Sequence, residues 1–271
     1  MQNIMKTSRS MLGPQERIFL TSMARNGKRI ISYEDSLHYW KSVQLVRKAL
    51  SRLESNGWLR RLKRGLYLLI PLEAGPEGQW SEDPLVIATQ LVPEGAVAYW
   101  SAMRYWNMTE QVPRTIFVQT TSRRFLPKQE ILGVRYQFVV VKNNRFFGIL
   151  TRMNNGMPIQ ITDREKTLVD ACDRPDLNGG VMQIAQAIKS LDVIDWDKLN
   201  SYLERFGSGA VYKRLGYLIE HLDISIPNKR SMLMEWHSNL TEGISWLEPA
   251  GEHNGPVKTR WRIRVNVAGL E

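Results

Sequence analysis

The sequence predicts an α+β protein in two parts, a short N-terminal unit of helices closed by a hairpin and a larger mixed unit. Three observations predict it. Helix start and stop signals recur before residue 57, and a strand–turn–strand pattern follows at once. Residues 71–84, rich in Pro, Gly and acids, then read as a linker. Beyond them β-rich runs cluster over 115–161, and helical patterns occupy most of 162–238.

Pro14 can open a helix that runs to about Arg25, with Ile18 and Phe19 towards a core and Asn26-Gly27 closing it. Ser32 is the N-cap of a second helix over 33–39. Ser42 caps a third over 42–55, in which Val46, Ala49, Leu50 and Leu53 fall at i, i+3, i+4, i+7 and form one face. Gln44, Arg47, Lys48, Ser51 and Arg52 fall largely on the other side. Asn56-Gly57 stops the helix, because Gly takes the left-handed conformation a C-terminus wants. Trp58–Leu62 has strand character, Lys63-Arg64-Gly65 is a turn, and Leu66–Ile70 is a return strand halted by Pro71. Helix, helix, helix, hairpin is the order of a winged helix-turn-helix, with 42–55 as recognition helix and 63–65 as wing tip.

Charge singles out the same segment. Residues 41–65 carry eight basic side chains against one acid, a net +7 in a chain of net +10. Residues 1–80 hold 14 basic and 6 acidic side chains; the remaining 23 and 21 nearly cancel. Duplex DNA carries one charge per roughly 1.7 Å, so a basic helix and hairpin tip match it electrostatically. Arg and Lys pair with guanine edges and Gln with adenine, and a helix fits the major groove. The candidate DNA-binding residues are Ser42, Gln44, Arg47, Lys48, Ser51, Arg52, Arg60, Arg61, Lys63 and Arg64. A basic helix face by itself is commonly solvated surface; the helix order and the basic hairpin tip are what turn it towards nucleic acid.

The second unit opens with helices over 85–92 and 99–107. Strands follow over 115–121, 134–142, 145–151 and 157–161, with Asn143-Asn144 suited to a tight hairpin. Thr162 and Glu165 have capping-box spacing at the start of a helix through Leu168, Val169 and Cys172. Further helices are expected over 180–190, 195–206, 208–222 and 228–238, and an alternating strand over 259–267.

No catalytic constellation emerges, so the expectation is a protein that is not an enzyme and takes no cofactor or metal. His38, His221, His237 and His253 have no second ligand at metal spacing, and there is no phosphate loop or dinucleotide fingerprint. Asp170, Cys172 and Asp173 cluster, but Cys172 fits an apolar helix face and lacks a partner base. The single cysteine precludes an intrachain disulfide. No run approaches the ~20 apolar residues of a membrane span, and the first 13 residues hold no apolar stretch of signal-peptide length. A cytoplasmic protein without a membrane partner is expected.

Several segments together resemble one family. They are VRKALSRLESNGWLRRLKRGLYLL at 46–69, AVAYWSAMRYWNMTEQVPRTIFVQTT at 96–121, ITDREKTLVDACDRPDLNGG at 161–180, GAVYKRLGYLIEHL at 209–222 and WRIRVNV at 261–267. In their order and spacing the chain resembles the AbiEi-type antitoxins of abortive-infection (type IV) toxin–antitoxin systems, bacterial transcriptional regulators linked to phage defence. The resemblance implies a winged helix over 1–72 that binds inverted repeats in its own promoter and represses it. After the linker, taken as 73–84, it implies an α+β antitoxin or regulatory domain over 85–271 that neutralises a nucleotidyltransferase toxin, directly or indirectly. No antitoxin residues follow from it, and a monomer, a dimer or two copies paired on DNA all fit. The rival expectation is a winged-helix transcription factor whose second domain senses a ligand or protein without antitoxin activity.

Overall fold

The computed structural model describes residues 11–75, 77–123, 127–189 and 194–270. The expectation of no signal segment in the first residues therefore falls largely outside the description, as do Pro76 of the expected linker and residue 190 at the end of an expected helix. The protein is mixed α+β and forms two compact units, one running to Leu91 and including Ile131–Gly133, the other Val92–Glu130 with Val134–Glu271.

In the first unit α1 (Pro14–Arg25) buries Glu16, Phe19, Leu20 and Met23. Ile18, expected to face inward, is 56% exposed, because one residue's rotation of roughly 100° carries it off that stripe. A three-residue strand absent from the sequence reading, β1 (Ile30–Ser32), leads into α2 (Tyr33–Ser36) and a 3-10 turn at Leu37–Tyr39. Ser32 caps α2 in a reciprocal box with Asp35. In α3 (Val43–Ser55) Val46, Ala49, Leu50 and Leu53 are all buried, as the spacing predicts. Val46, Leu50 and Leu53 pack into a core with Phe19, Ile31, Leu59 and Tyr67. Strands β2 (Leu59–Lys63) and β3 (Leu66–Leu69) pair antiparallel, and β1 adds to β3 with Ile31 opposite Tyr67. The β2–β3 turn rests on Gly65 at φ +75°, a conformation costly for a side chain.

The stretch expected as a linker is fastened to this unit. Leu72–Ala74 forms a 3-10 turn, and the Gly78 and Trp80 carbonyls accept hydrogen bonds from Arg60, each at 3.2 Å. Glu82, only 4% exposed, pairs with Arg29 at 3.3 Å. Helix α4 (Pro84–Leu91) then completes the unit, which carries it past the boundary expected at residue 72.

The second unit is built on a six-stranded mixed sheet. Its strands are β4 (Ala96–Val97), β5 (Thr115–Thr120), β6 (Lys128–Ile131), β7 (Val134–Val140), β8 (Ile149–Asn154) and β9 (Met157–Thr162), in the order β6-β7-β5-β4-β9-β8. Helix α5 (Tyr99–Tyr105) lies between β4 and β5 in sequence. The hairpin expected at Asn143-Asn144 is not there. Residues 143–145 form a 3-10 turn, and β7 runs parallel to β5. The tight hairpin joins β8 to β9 at Asn155-Gly156, whose φ angles of +47° and +78° suit a two-residue turn of the primed type.

The expected capping box at Thr162 is displaced by one residue. Thr162 ends β9, and Asp163 caps α6 (Arg164–Asp173) by accepting from the Lys166 N–H at 2.8 Å. Glu165 turns instead to the start of α8, where it accepts from the Asp195 N–H at 3.1 Å. Helices α7 (Val181–Lys189), α8 (Trp196–Phe206), α9 (Gly209–His221) and α10 (Lys229–Ser238) follow the expected spans closely. The strand expected over 259–267 is broken: β10 (Ser245–Trp246), β11 (Val257–Lys258) and β12 (Ile263–Arg264) form a small sheet, and a 3-10 turn at Thr259–Trp261 interrupts the run. That turn drives the buried Trp261 ring against α9 at Gly216, where a Cβ would lie 2.2 Å from it. No helix among the described residues is long and apolar enough to cross a membrane.

Candidate nucleic-acid interface

Helix α3 presents its polar face from a fixed base. The Ser42 hydroxyl accepts from the Leu45 N–H at 3.3 Å and starts the helix, so this side chain acts on the backbone rather than outward. Burial of the 46/49/50/53 stripe turns Gln44, Arg47, Lys48 and Ser51 to solvent. All four are exposed, and none has a side-chain hydrogen bond or ion pair with another described residue. Lys41, just before the cap, is exposed and unpaired in the same sense. At the tip of the β2–β3 hairpin Arg64 is likewise exposed and unpaired.

The other four candidates are held by the protein itself. Arg52 donates to Glu16 Oε2 at 2.7 Å, and this hydrogen bond holds its guanidinium pKa above the ordinary value. Glu16 is 5% exposed and also accepts the Gly13 N–H at 2.9 Å, so Arg52 locks α3 to the start of α1. Arg60 is spent on the two backbone carbonyls of the 77–83 segment. Arg61 pairs with Glu54 at 2.8 Å and lies 5.5 Å from the Tyr67 ring centroid. Lys63 donates to the Leu91 carbonyl at 2.5 Å, and burial pulls its pKa down. Sequence charge therefore overstates the available cations: half of the eight basic residues over 41–65 hold a protein acceptor.

Two residues at this surface escaped the sequence reading. Val43 and Leu45 are 44% and 47% exposed at the first turn of α3. Leu45 lies off the buried stripe by spacing; Val43 is in register with Val46 and Leu50, and its place as the first residue of the helix leaves it exposed. Apolar side chains at the start of a helix suit contact with thymine methyl groups.

In the second unit the acid–thiol cluster is separated by the fold. Cys172 is fully buried, its thiol pushed up to about 12 by desolvation. Asp170 is buried beside Lys166, and Asp173 reaches Arg145 at 3.4 Å. A cavity of about 280 Å³ is lined by Tyr99, Lys142, Arg145, Asp170 and Phe206 among others. Tyr99 sits at φ +54°, is 3% exposed, and its hydroxyl has no hydrogen-bond partner among the described residues. No group of His, Cys, Asp and Glu that could hold a metal occurs among the described residues.

No family model and no curated protein matches the chain. Its fold is similar to the crystal structure of the RV2827C protein from Mycobacterium tuberculosis, with a TM-score of 0.66 over 95% of this chain and 93% of that one. The two are 14% identical, so the likeness is one of fold.

Proposed function

We propose that this chain is a DNA-binding transcriptional repressor and antitoxin of the AbiEi type. Its first unit is a winged helix-turn-helix, with α3 as recognition helix and the β2–β3 hairpin as wing. The observation that carries the reading is the exposed, unpaired set Gln44, Arg47, Lys48 and Ser51 on one face of α3, with Lys41 before it and Arg64 on the hairpin tip. A solvated face serving only solubility has no need of an amide and two cations on one side of a helix standing clear of its own core.

In this reading Gln44, Arg47 and Lys48 enter the major groove, while Lys41 and Arg64 hold phosphates, which position without specifying. Arg52, Arg60, Arg61 and Lys63 shape the surface through their protein acceptors. Two cations then hold phosphates, and the logarithm of affinity falls against the logarithm of salt with a slope of about −2. Anisotropy of the purified protein on its own upstream region, across a salt series with random duplex as competitor, measures this. Binding that competitor abolishes leaves a basic surface without sequence preference and overturns the repressor. The antitoxin half is tested by co-expression with the neighbouring gene: a nucleotidyltransferase toxic alone and harmless beside this chain supports it, and persisting toxicity overturns it.

A second reading draws on the Tyr99 cavity. A Tyr99 hydroxyl without a hydrogen-bond partner among the described residues, on a cavity lined by charged side chains, favours a second unit that senses a small polar ligand, with the first unit as an ordinary operator reader. In that case co-expression has no effect on the neighbouring gene's product.

A further inference from the structure

On the first unit, between α1 and the segment after β3, runs a groove of about 380 Å³ with a mostly apolar lining. Arg17, Thr21 and Ala24 lie on its α1 wall at helical spacing, and Leu72 and Glu73 lie on the other. Thr21 and Ala24 are small and leave a notch. Leu72 is 74% exposed, a large apolar side chain held out in solvent beside that notch. Each chain therefore offers both a knob and a hole.

The charges have the same property. Arg17 and Glu73 both line the groove, and neither side chain has a hydrogen bond or ion pair with another described residue. A two-fold axis makes residue i of one copy meet residue j of the other, and j meet i. A surface with one unpaired cation and one unpaired anion across an apolar groove is complementary to itself in that arrangement. The basic excess of residues 1–80 makes two copies repel unless their contact pairs opposite charges. No residue of the groove belongs to the exposed face of α3.

We infer that two copies of this chain associate through this groove, Leu72 of each seated at the notch of the other and Arg17 facing the partner's Glu73. The inference stands whether or not α3 reads DNA. It is tested on the full chain without DNA, by sedimentation velocity over a wide concentration range at low salt. The expected result is a concentration-dependent monomer–dimer equilibrium. Arg17→Glu and Glu73→Arg each weaken it by roughly tenfold at each of two symmetry-related contacts, about 100-fold in all. Mixing the two single variants restores a dimer, because both contacts then pair opposite charges, and the double variant behaves as the wild type. Unchanged thermal melts separate these effects from unfolding. A wild type that stays monomeric at every concentration, a dimer indifferent to both reversals, or single variants that fail to recover on mixing each overturn the inference.

Discussion

Replacing Arg47 and Lys48 together by Ala is expected to abolish discrimination between the operator and random duplex while leaving the fold intact. Both side chains are exposed and bond to nothing else in the described protein, so their loss creates neither a cavity nor an unpaired buried group. Each good contact to a base edge contributes about 1–3 kcal/mol of discrimination, so two contribute about 2–6 kcal/mol, or roughly 30-fold to 10⁴-fold. Arg64→Ala is expected to behave differently. It weakens binding to all sequences alike and reduces the salt slope by about 1, because a phosphate contact carries charge but no sequence. Competition anisotropy on both variants separates the two effects. If Arg64→Ala loses discrimination and the double variant loses only overall affinity, helix and wing have exchanged roles.

How much of this surface could be read from the chain depends on the distance over which each determinant acts. The cap at Ser42, the stripe at Val46, Ala49, Leu50 and Leu53 and the stop at Asn56-Gly57 are local, and α3 lies where they put it. The partners of the cations are not local. Glu16 lies 36 residues before Arg52, and the carbonyls that hold Arg60 lie 18 and 20 residues beyond it. A basic side chain looks the same in sequence whether it faces solvent or a distant acceptor, so free and occupied cations were counted together. The expected linker fails for a related reason. Its Pro, Gly and acids do break regular structure, but Glu82 is buried against Arg29, so breaking regular structure did not set the segment free. At Thr162 two neighbouring residues could each cap a helix. Thr162 belongs to β9 of the central sheet, and that pairing leaves Asp163 at the cap. The three residues of β1 carry too little pattern to register, and only β3 beside them makes them a strand.

The largest stability effect is expected in the second unit, at Lys166. This side chain is fully buried and paired with Asp170 one helical turn on, and its ammonium lies 5.0 Å from the Phe147 ring centroid and 5.4 Å from that of Phe206. Lys166→Met fills the same aromatic slot and keeps the volume, so it isolates the charge. Removing one partner of a buried pair leaves the other charged in a poor solvent, at a cost of about 3–5 kcal/mol. Desolvation already raises the Asp170 carboxyl above its ordinary value, against the opposing pull of Lys166. Without Lys166 it rises further, and folding then favours the protonated acid. A folded-state pKa above the unfolded one means stability that is present below the unfolded value and is lost as pH rises through the folded value. The deficit of Lys166→Met relative to the wild type is thus greatest at neutral pH and shrinks on acidification towards the usual carboxylate range. Lys166→Met with Asp170→Leu is expected to recover most of the loss, since apolar replacement of a whole buried pair is often neutral or better. Denaturant melts of the wild type, Lys166→Met, Asp170→Leu and the double variant over a pH series measure both the coupling and its sign. A Lys166→Met variant within about 1 kcal/mol of the wild type at neutral pH contradicts the buried charge, because an exposed pair contributes no more than that. Recovery in the double variant has a second consequence. The pair is then not needed to hold α6 together, and a charged Asp170 at the wall of the Tyr99 cavity is explained better by what enters that cavity than by the fold.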